Sequence, residues 1–325
     1  MLTSSTIKDK ARGLGFDLCG IAPAGDLPEL TFFREWLDRG YAGEMTYLHR
    51  SAERRADVRN VLPSARTVVV TATNYNTDRP YSTECADAGR AHVARYAWGD
   101  DYHDVIGGRL DALLSWMRHE AAEPFEARAY VDTGPVQERI YAQHAGIGWI
   151  GKNTCVINPE IGSWIFLGVI ICSLPFEVDL PALDRCGTCT LCLEACPTGA
   201  IVAPGVLDSN RCISYLTIEL RGDIPEAMRA AIGTHIYGCD ICQEVCPWNA
   251  TPPRSPDRAW QPRSVWDRVD LLTLAGCTDD ELADSLRGSA MRRTRVQGLR
   301  RNIDTALGNA CDAETPATRR RRTDS

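Results

Sequence analysis

Lysine is almost absent from this chain: Lys8, Lys10 and Lys152 are the only three, so arginine carries nearly all of its positive charge. Cations are not in excess either. Lysine and arginine together number 36 against 43 acidic residues, a net charge of −7, which excludes a global electrostatic attraction to nucleic acid. Long apolar runs are missing as well; the longest, Trp164–Ile171 (WIFLGVII), is strand-sized and far short of the roughly 20 residues a membrane helix needs. No signal-peptide pattern is found ahead of the cysteines. With 325 residues, 44% of them apolar, the chain can still bury a full core, and its length suits two or three folding units.

Cysteine is what the chain has in quantity. Cys186, Cys189, Cys192 and Cys196-Pro197 form one run, Cys239, Cys242 and Cys246-Pro247 a second, and Cys212 lies between them. A CxxCxxC turn wraps three corners of one four-iron cube, while the cysteine before the proline points to the other cube. This assigns Cys186, Cys189, Cys192 and Cys246 to one [4Fe-4S] cluster, and Cys196, Cys212, Cys239 and Cys242 to the other. Paired zinc sites also use CxxC, but zinc does not explain CxxCxxCxxxCP. Disulfides are disfavoured because such dense thiols belong in a reducing compartment, so a cytoplasmic location is expected.

The first 180 residues read as mixed α/β, with buried strands at 66–73 and 164–171, a short strand at 129–131 and an amphipathic helix over 104–120. Asp132 follows the short strand, and Pro135 is expected to open a helix. The boundaries implied are 1–178 for this unit, 179–250 for the cysteine unit, and 251–325 for a helical, arginine-rich segment beginning in a proline-rich connector. From Arg287 onward ten arginines face four acids, ending in the run 319–322, which is either a solvated tail or a local phosphate-binding surface.

Three loops carry candidate chemistry: Tyr96–His103, Val131–Val136 and Gly148–Thr154. Read by itself, Asp132 is a helix cap, where the helix dipole favours its ionised form. The glycine-punctuated GWIGKN stretch permits close backbone approach to a bulky ligand but is not a P-loop. Trp98, Trp149 and Trp164 are either core aromatics or walls for a planar ligand. The segment from Asp101 to Gly107 is one residue too long for the DxHxxG box whose histidine ligates cobalt, so His103 reads as structural or near the substrate. The other histidines carry no motif.

Taken together, ARYAWGDDYH, VDTGPVQERIYAQHAGIGWIGKNT, the eight-cysteine array and LRRNIDTALGN resemble the epoxyqueuosine reductase family over about residues 10–310. The resemblance implies a cobalamin-binding α/β (α+β) domain like the reductive dehalogenase core, fused to a bacterial-ferredoxin-like domain with two [4Fe-4S] clusters and a short helical C-terminus. It implies reduction of epoxyqueuosine to queuosine at the tRNA wobble position, with electrons passing from the clusters to cob(II)alamin. In that reading Asp132 donates the proton. Arg55, Arg95, Asp132 itself, Gly151, Lys152, Asn153, Ser214 and Arg221 fall in regions that contact the corrinoid, and no protein histidine ligates cobalt.

The expected partners are tRNA carrying epoxyqueuosine and a low-potential donor, ferredoxin or flavodoxin; a monomer is expected, with no membrane. Many relatives append HEAT-like repeats that grip tRNA, and none is expected here, which shifts phosphate contacts to Arg292, Arg293, Arg295, Arg300 and Arg301. The alternatives are an iron–sulfur electron carrier, which would purify without corrinoid, and a reductive dehalogenase-like enzyme, which would usually carry a twin-arginine leader.

Overall fold

A computed structural model describes residues 2–320 apart from Ala86, Ala88 and Arg268; for 312–320 only the backbone is described. Four strands form the central sheet: Leu18–Pro23 (β1), Thr67–Asn74 (β2), Ala127–Tyr130 (β3) and Ile165–Cys172 (β4). Their order is β1-β2-β4-β3 and every neighbouring pair is antiparallel. All eight residues of β2 and most of β4 are buried because helices cover both faces of the sheet, and alternate residues divide between two cores. Val68, Val70, Val169 and Ile171 pack with Tyr141 and Ala142 of helix Glu138–His144. Val69, Phe166 and Ile170 pack with Ile7 and Ala11 of helix Ser4–Gly13, and with Ile106, Leu110 and Leu113 of helix Tyr102–Glu120.

The cysteine segment is tied to this layer by a parallel pairing of His235–Tyr237 with His92–Val93. A third core unites Val93 and Ala97, Ile218 and Ile236, and Leu271, Leu282, Leu299 and Ile303 of the C-terminal helices. The expected divisions at 178 and 250 therefore run through packed contacts: the C-terminal helices share a core with strands from both earlier segments. Among the described residues no helix is long and apolar enough to cross a membrane.

Pro135 does not open a helix. The helix begins at Glu138 with Gln137 as its N-cap, so Asp132 lies six residues ahead of it and caps nothing. The reason is local: Asp132 takes a left-handed φ of 56°, and its N–H donates to the Glu138 carboxylate at 2.8 Å, holding 132–137 as a loop.

Close packing makes one glycine on β1 irreplaceable. A Cβ on Gly20 would sit 2.0 Å from the carbonyl oxygen of Ala145, whereas one on Gly13 would meet nothing within 4 Å. Gly20→Ala is expected to cost about 1–3 kcal/mol, lowering the thermal midpoint by roughly 2–8 °C. Gly13→Ala should leave the midpoint unchanged or raise it. Equal midpoints for the two variants in a thermal melt would refute this packing.

Candidate active site

The loop after β3 and the first turn of helix Tyr102–Glu120 meet at one carboxylate. The Tyr102 hydroxyl donates to Asp132 Oδ2 at 2.9 Å, and His103 Nε2 lies 3.5 Å from the same oxygen. On its other side the ring is held by Asp101: Nδ1 is 2.7 Å from Oδ1, the backbone N–H of His103 donates to that oxygen at 3.1 Å, and Arg292 Nε lies 3.3 Å from Oδ2. Asp101 is thus the N-cap of its helix as well as the histidine's partner.

The charges follow from these contacts. Desolvation would raise the Asp132 carboxyl, but the nearby His103 ring with its charge and the hydrogen bond from Tyr102 bring it below its ordinary value. Burial would lower His103, yet Asp101 and Asp132 outweigh burial and raise it to about 9. Glu138 is pushed up to about 8, first by burial and then by the charge of Asp132. These directions favour protons on His103 and Glu138 and an ionised Asp132 at neutral pH.

Asp132, Tyr102 and His103 line a cavity of about 770 Å³, within the usual range of cofactor and substrate sites. Its other walls include Arg55, Ser214, Tyr215, Arg292, Arg293 and Cys212. One of the eight motif cysteines thus opens on the same space as the carboxylate.

The remaining cysteines fall into two sets. Cys186, Cys189, Cys192 and Cys246 line a separate cavity of about 260 Å³ with Lys152, Asn153 and Trp248. Cys212 and Cys239 are raised first by burial and then by thiols of the second set, Cys196 beside Cys212 and Cys212 beside Cys239. Cys242 is raised first by a hydrogen bond with Cys155, then by burial, and then by Cys155, Cys239 and Cys212. Among the described residues no three Cys, His, Asp or Glu side chains converge to hold a single metal ion, as a zinc site requires. Spread sets of four thiols suit a cube that takes one thiolate at each iron. N–H groups already point at sulfur: Trp149 Nε1 lies 3.4 Å from Cys186 Sγ, and the Ala200 amide 3.3 Å from Cys196 Sγ.

The sequence-based candidates divide accordingly. Arg55 and Ser214 are on the large cavity, and Arg221 donates to the carbonyl of Arg293 beside it at 3.1 Å. Arg95 is not brought there. It is 2% exposed, bonds Thr77 and the Arg79 carbonyl, and stacks among Tyr81, Trp98 and Trp164. Nor are Gly151–Asn153: Lys152 Nζ donates to the carbonyls of Gly187 and Cys189 at 2.7 and 2.9 Å, and Asn153 Nδ2 to that of Cys242 at 3.0 Å. This stretch braces the cysteine loops. None of Trp98, Trp149 and Trp164 lines the large cavity. Arg300 and Arg301 are used internally, on the carbonyls of Ala275 and Cys277 and of Leu216 and Leu220 respectively, so their guanidinium groups are not presented to phosphate as expected. The arginine run 319–322 lies outside the residues whose side chains are described. Sequence reasoning missed the pairing of His103 with Asp101 and the ninth thiol, Cys155; the string DDYH carried the first signal, and nothing in the spacing marked the second.

Two cysteine sets, one of them reaching a cavity whose wall holds a hydrogen-bonded carboxylate, define an iron–sulfur oxidoreductase. Residues 185–249 match the "4Fe-4S double cluster binding domain" family, and residues 55–133 match "Epoxyqueuosine reductase QueG, DUF1730". An epoxyqueuosine reductase of Gloeobacter violaceus is 44% identical over 96% of this chain and 98% of its own, and one of Xanthomonas campestris is 41% identical over 96% and 88%. A crystal structure of epoxyqueuosine reductase with an epoxyqueuosine-modified tRNA-Tyr stem loop superposes with a TM-score of 0.86 at 32% identity, covering 95% of this chain and 82% of that one. A Bacillus subtilis structure with its catalytic aspartate loop swung out of the active site gives 0.82 at 31% identity, with the same coverage of both chains. The chain belongs to the epoxyqueuosine reductase family.

Two measurements check the site. Cys212→Ser should remove about half of the bound iron, whereas Cys277→Ser, outside both sets, should remove none; equal iron contents would break the ligand grouping. His103 is raised above its unfolded value of 6.5, so its contribution to stability is complete below pH 6.5 and is lost as pH rises through about 9. In an NMR titration of the imidazole, Asp101→Asn should move the midpoint back toward 6.5, and an unmoved midpoint would contradict the assigned pairing.

Proposed function

We propose that this chain removes the epoxide oxygen of epoxyqueuosine in tRNA, using two [4Fe-4S] clusters and a cobalamin that rests as cob(II)alamin. The observation that carries the reading is the shared cavity, where Asp132 and Cys212 border one space. A plain electron carrier has no use for such a space. The lining fits a corrinoid in kind: apolar Met45, Leu48 and Ile218, hydroxyl groups of Ser209 and Ser214, and Arg55 for peripheral amides. Bound there, a corrinoid would supply the low-potential two-electron reductant that the epoxide needs.

The reaction fixes what the protein must add. Both C–O bonds of the epoxide break, a C=C bond forms, and the oxygen leaves as water, which takes two electrons and two protons. Electrons enter from ferredoxin or flavodoxin at the set holding Cys186, Cys189, Cys192 and Cys246, and reach the cavity through the set holding Cys212. Protons reach the departing oxygen from Asp132. The aspartate loop reported swung out in the Bacillus subtilis enzyme supports reading the 131–137 loop as the one that brings the acid to the substrate. Tyr96, Tyr102 and Tyr237 wall the space and keep water from the reacting atoms.

The modified nucleotide must leave its stack to enter a cavity of this kind, and the related complex with a tRNA stem loop supports that route. The exposed Arg295 is the cation we assign to the anticodon phosphates, with Arg292 and Arg293 beside the cavity adding positive charge while paired with Asp101 and Glu219. The density of reduced thiols favours a cytoplasmic setting, and we assign a monomer.

Asp132→Asn should keep iron and corrinoid but lose turnover by about 100-fold or more, the usual weight of a positioned acid. Nucleoside analysis of tRNA after incubation with the reduced variant reads this directly, and near-normal queuosine would end Asp132's role as the acid.

A further inference from the structure

We propose that His103, oriented by Asp101, supplies the protons that Asp132 delivers to the epoxide oxygen. This rests on the reading of Asp132 as the delivering acid and adds the source of its protons. Such a source is needed: the reaction consumes two protons, and a carboxylate that is ionised in the resting site carries none.

The geometry meets the need. His103 Nε2 is buried, has no hydrogen-bond partner, and points at Asp132 Oδ2 from 3.5 Å, a gap that a small movement of the 131–137 loop would close. The opposite nitrogen is fixed by Asp101 at 2.7 Å, so the ring can rotate neither away from Asp132 nor into the other tautomer. Asp101 is itself 2% exposed and anchored by the His103 amide and Arg292, which makes it a rigid support. Tyr102 donates to the same oxygen that His103 faces, leaving Oδ1 free to meet the substrate.

Each proton leaves His103 Nε2 for Asp132 Oδ2; rotation of the carboxyl group about its Cβ–Cγ bond then turns the protonated oxygen toward the substrate, and the proton passes to the departing oxygen as a C–O bond breaks. His103, partly exposed on the cavity wall, is then recharged at Nε2 by water that enters when the 131–137 loop moves aside, and the route runs a second time. The two electrons come from the reductive path proposed above, and no other reactant is needed. His103 acts through Asp132, which makes it a positioning residue that also stores the proton.

The ionisable groups around the ring are Asp101 and Asp132 in contact with it, Arg292 behind Asp101, Glu138 behind Asp132, and Tyr102, Tyr237 and Arg293 on the cavity wall. Asp101 and Asp132 dominate, and they hold the imidazolium to about pH 9.

The test is a single-turnover assay on pre-reduced, corrinoid-loaded enzyme with epoxyqueuosine tRNA across pH 6–10, with cluster EPR spectra and tRNA affinity measured alongside. Wild type should slow as pH rises through about 9. Asp101→Asn, which preserves the helix cap, should show the same fall at lower pH. His103→Gln should be slower by tenfold or more at neutral pH and lose the alkaline fall, with EPR spectra and affinity unchanged. If Asp132→Asn is inactive but His103→Gln keeps the wild-type rate and pH profile, the relay is wrong while the acid stands. If the Asp101→Asn profile superimposes on wild type, the relay is also wrong, and that outcome does not depend on how well His103→Gln folds.

Discussion

The site depends on the packing that fastens the cysteine segment to the sheet. His235–Tyr237 pairs in parallel with His92–Val93, and Gly238, just ahead of Cys239, lies so near Ala94 that an added Cβ would come within 2.5 Å of its methyl group. Asp240 receives the Arg95 amide at 2.6 Å in the same corner. Residues 91–97 then lead directly into Asp101 and His103. The thiols and the proton-carrying side chains are therefore set by one short stretch of chain, and the third core, with Leu271, Leu299 and Ile303, clamps it from behind.

Arg95 gains its meaning here. A buried guanidinium among three aromatic rings, bonded to Thr77 and to carbonyls of 77–80, holds the corner together rather than a ligand. Lys152, one of three lysines in the chain, has a similar role at the first cysteine set. Both are cationic residues whose terminal nitrogens are already engaged, by backbone carbonyls and, for Arg95, also by the Thr77 hydroxyl.

Much of this was legible in the sequence, for physical reasons. A strand covered on both faces is rich in β-branched and apolar residues along its whole length, so β2 and β4 stood out. A cube of iron and sulfide needs thiolates at fixed spacing, so the eight cysteines did too. What was not legible depended on contacts between distant segments. The loop at Asp132 looked like a helix start because Pro135 suits a first turn, but the left-handed Asp132 and its bond to Glu138 decide otherwise. Arg300 and Arg301 looked like free cations because a sequence does not show the carbonyls they reach. The approach of Asp132 to His103 joins residues 29 apart, and only the meeting of β3 with helix Tyr102–Glu120 reveals it.

The central claim is that electrons and protons meet in the space between Cys212 and Asp132. The most direct measurement is EPR of anaerobically prepared, iron-loaded protein titrated with cobalamin and then reduced stepwise. The account predicts uptake of one corrinoid per chain, with a cobalt signal that is perturbed by the reduced cluster held by Cys212 and loses that perturbation in Cys212→Ser. Protein that binds iron and sulfide but takes up no corrinoid would contradict it.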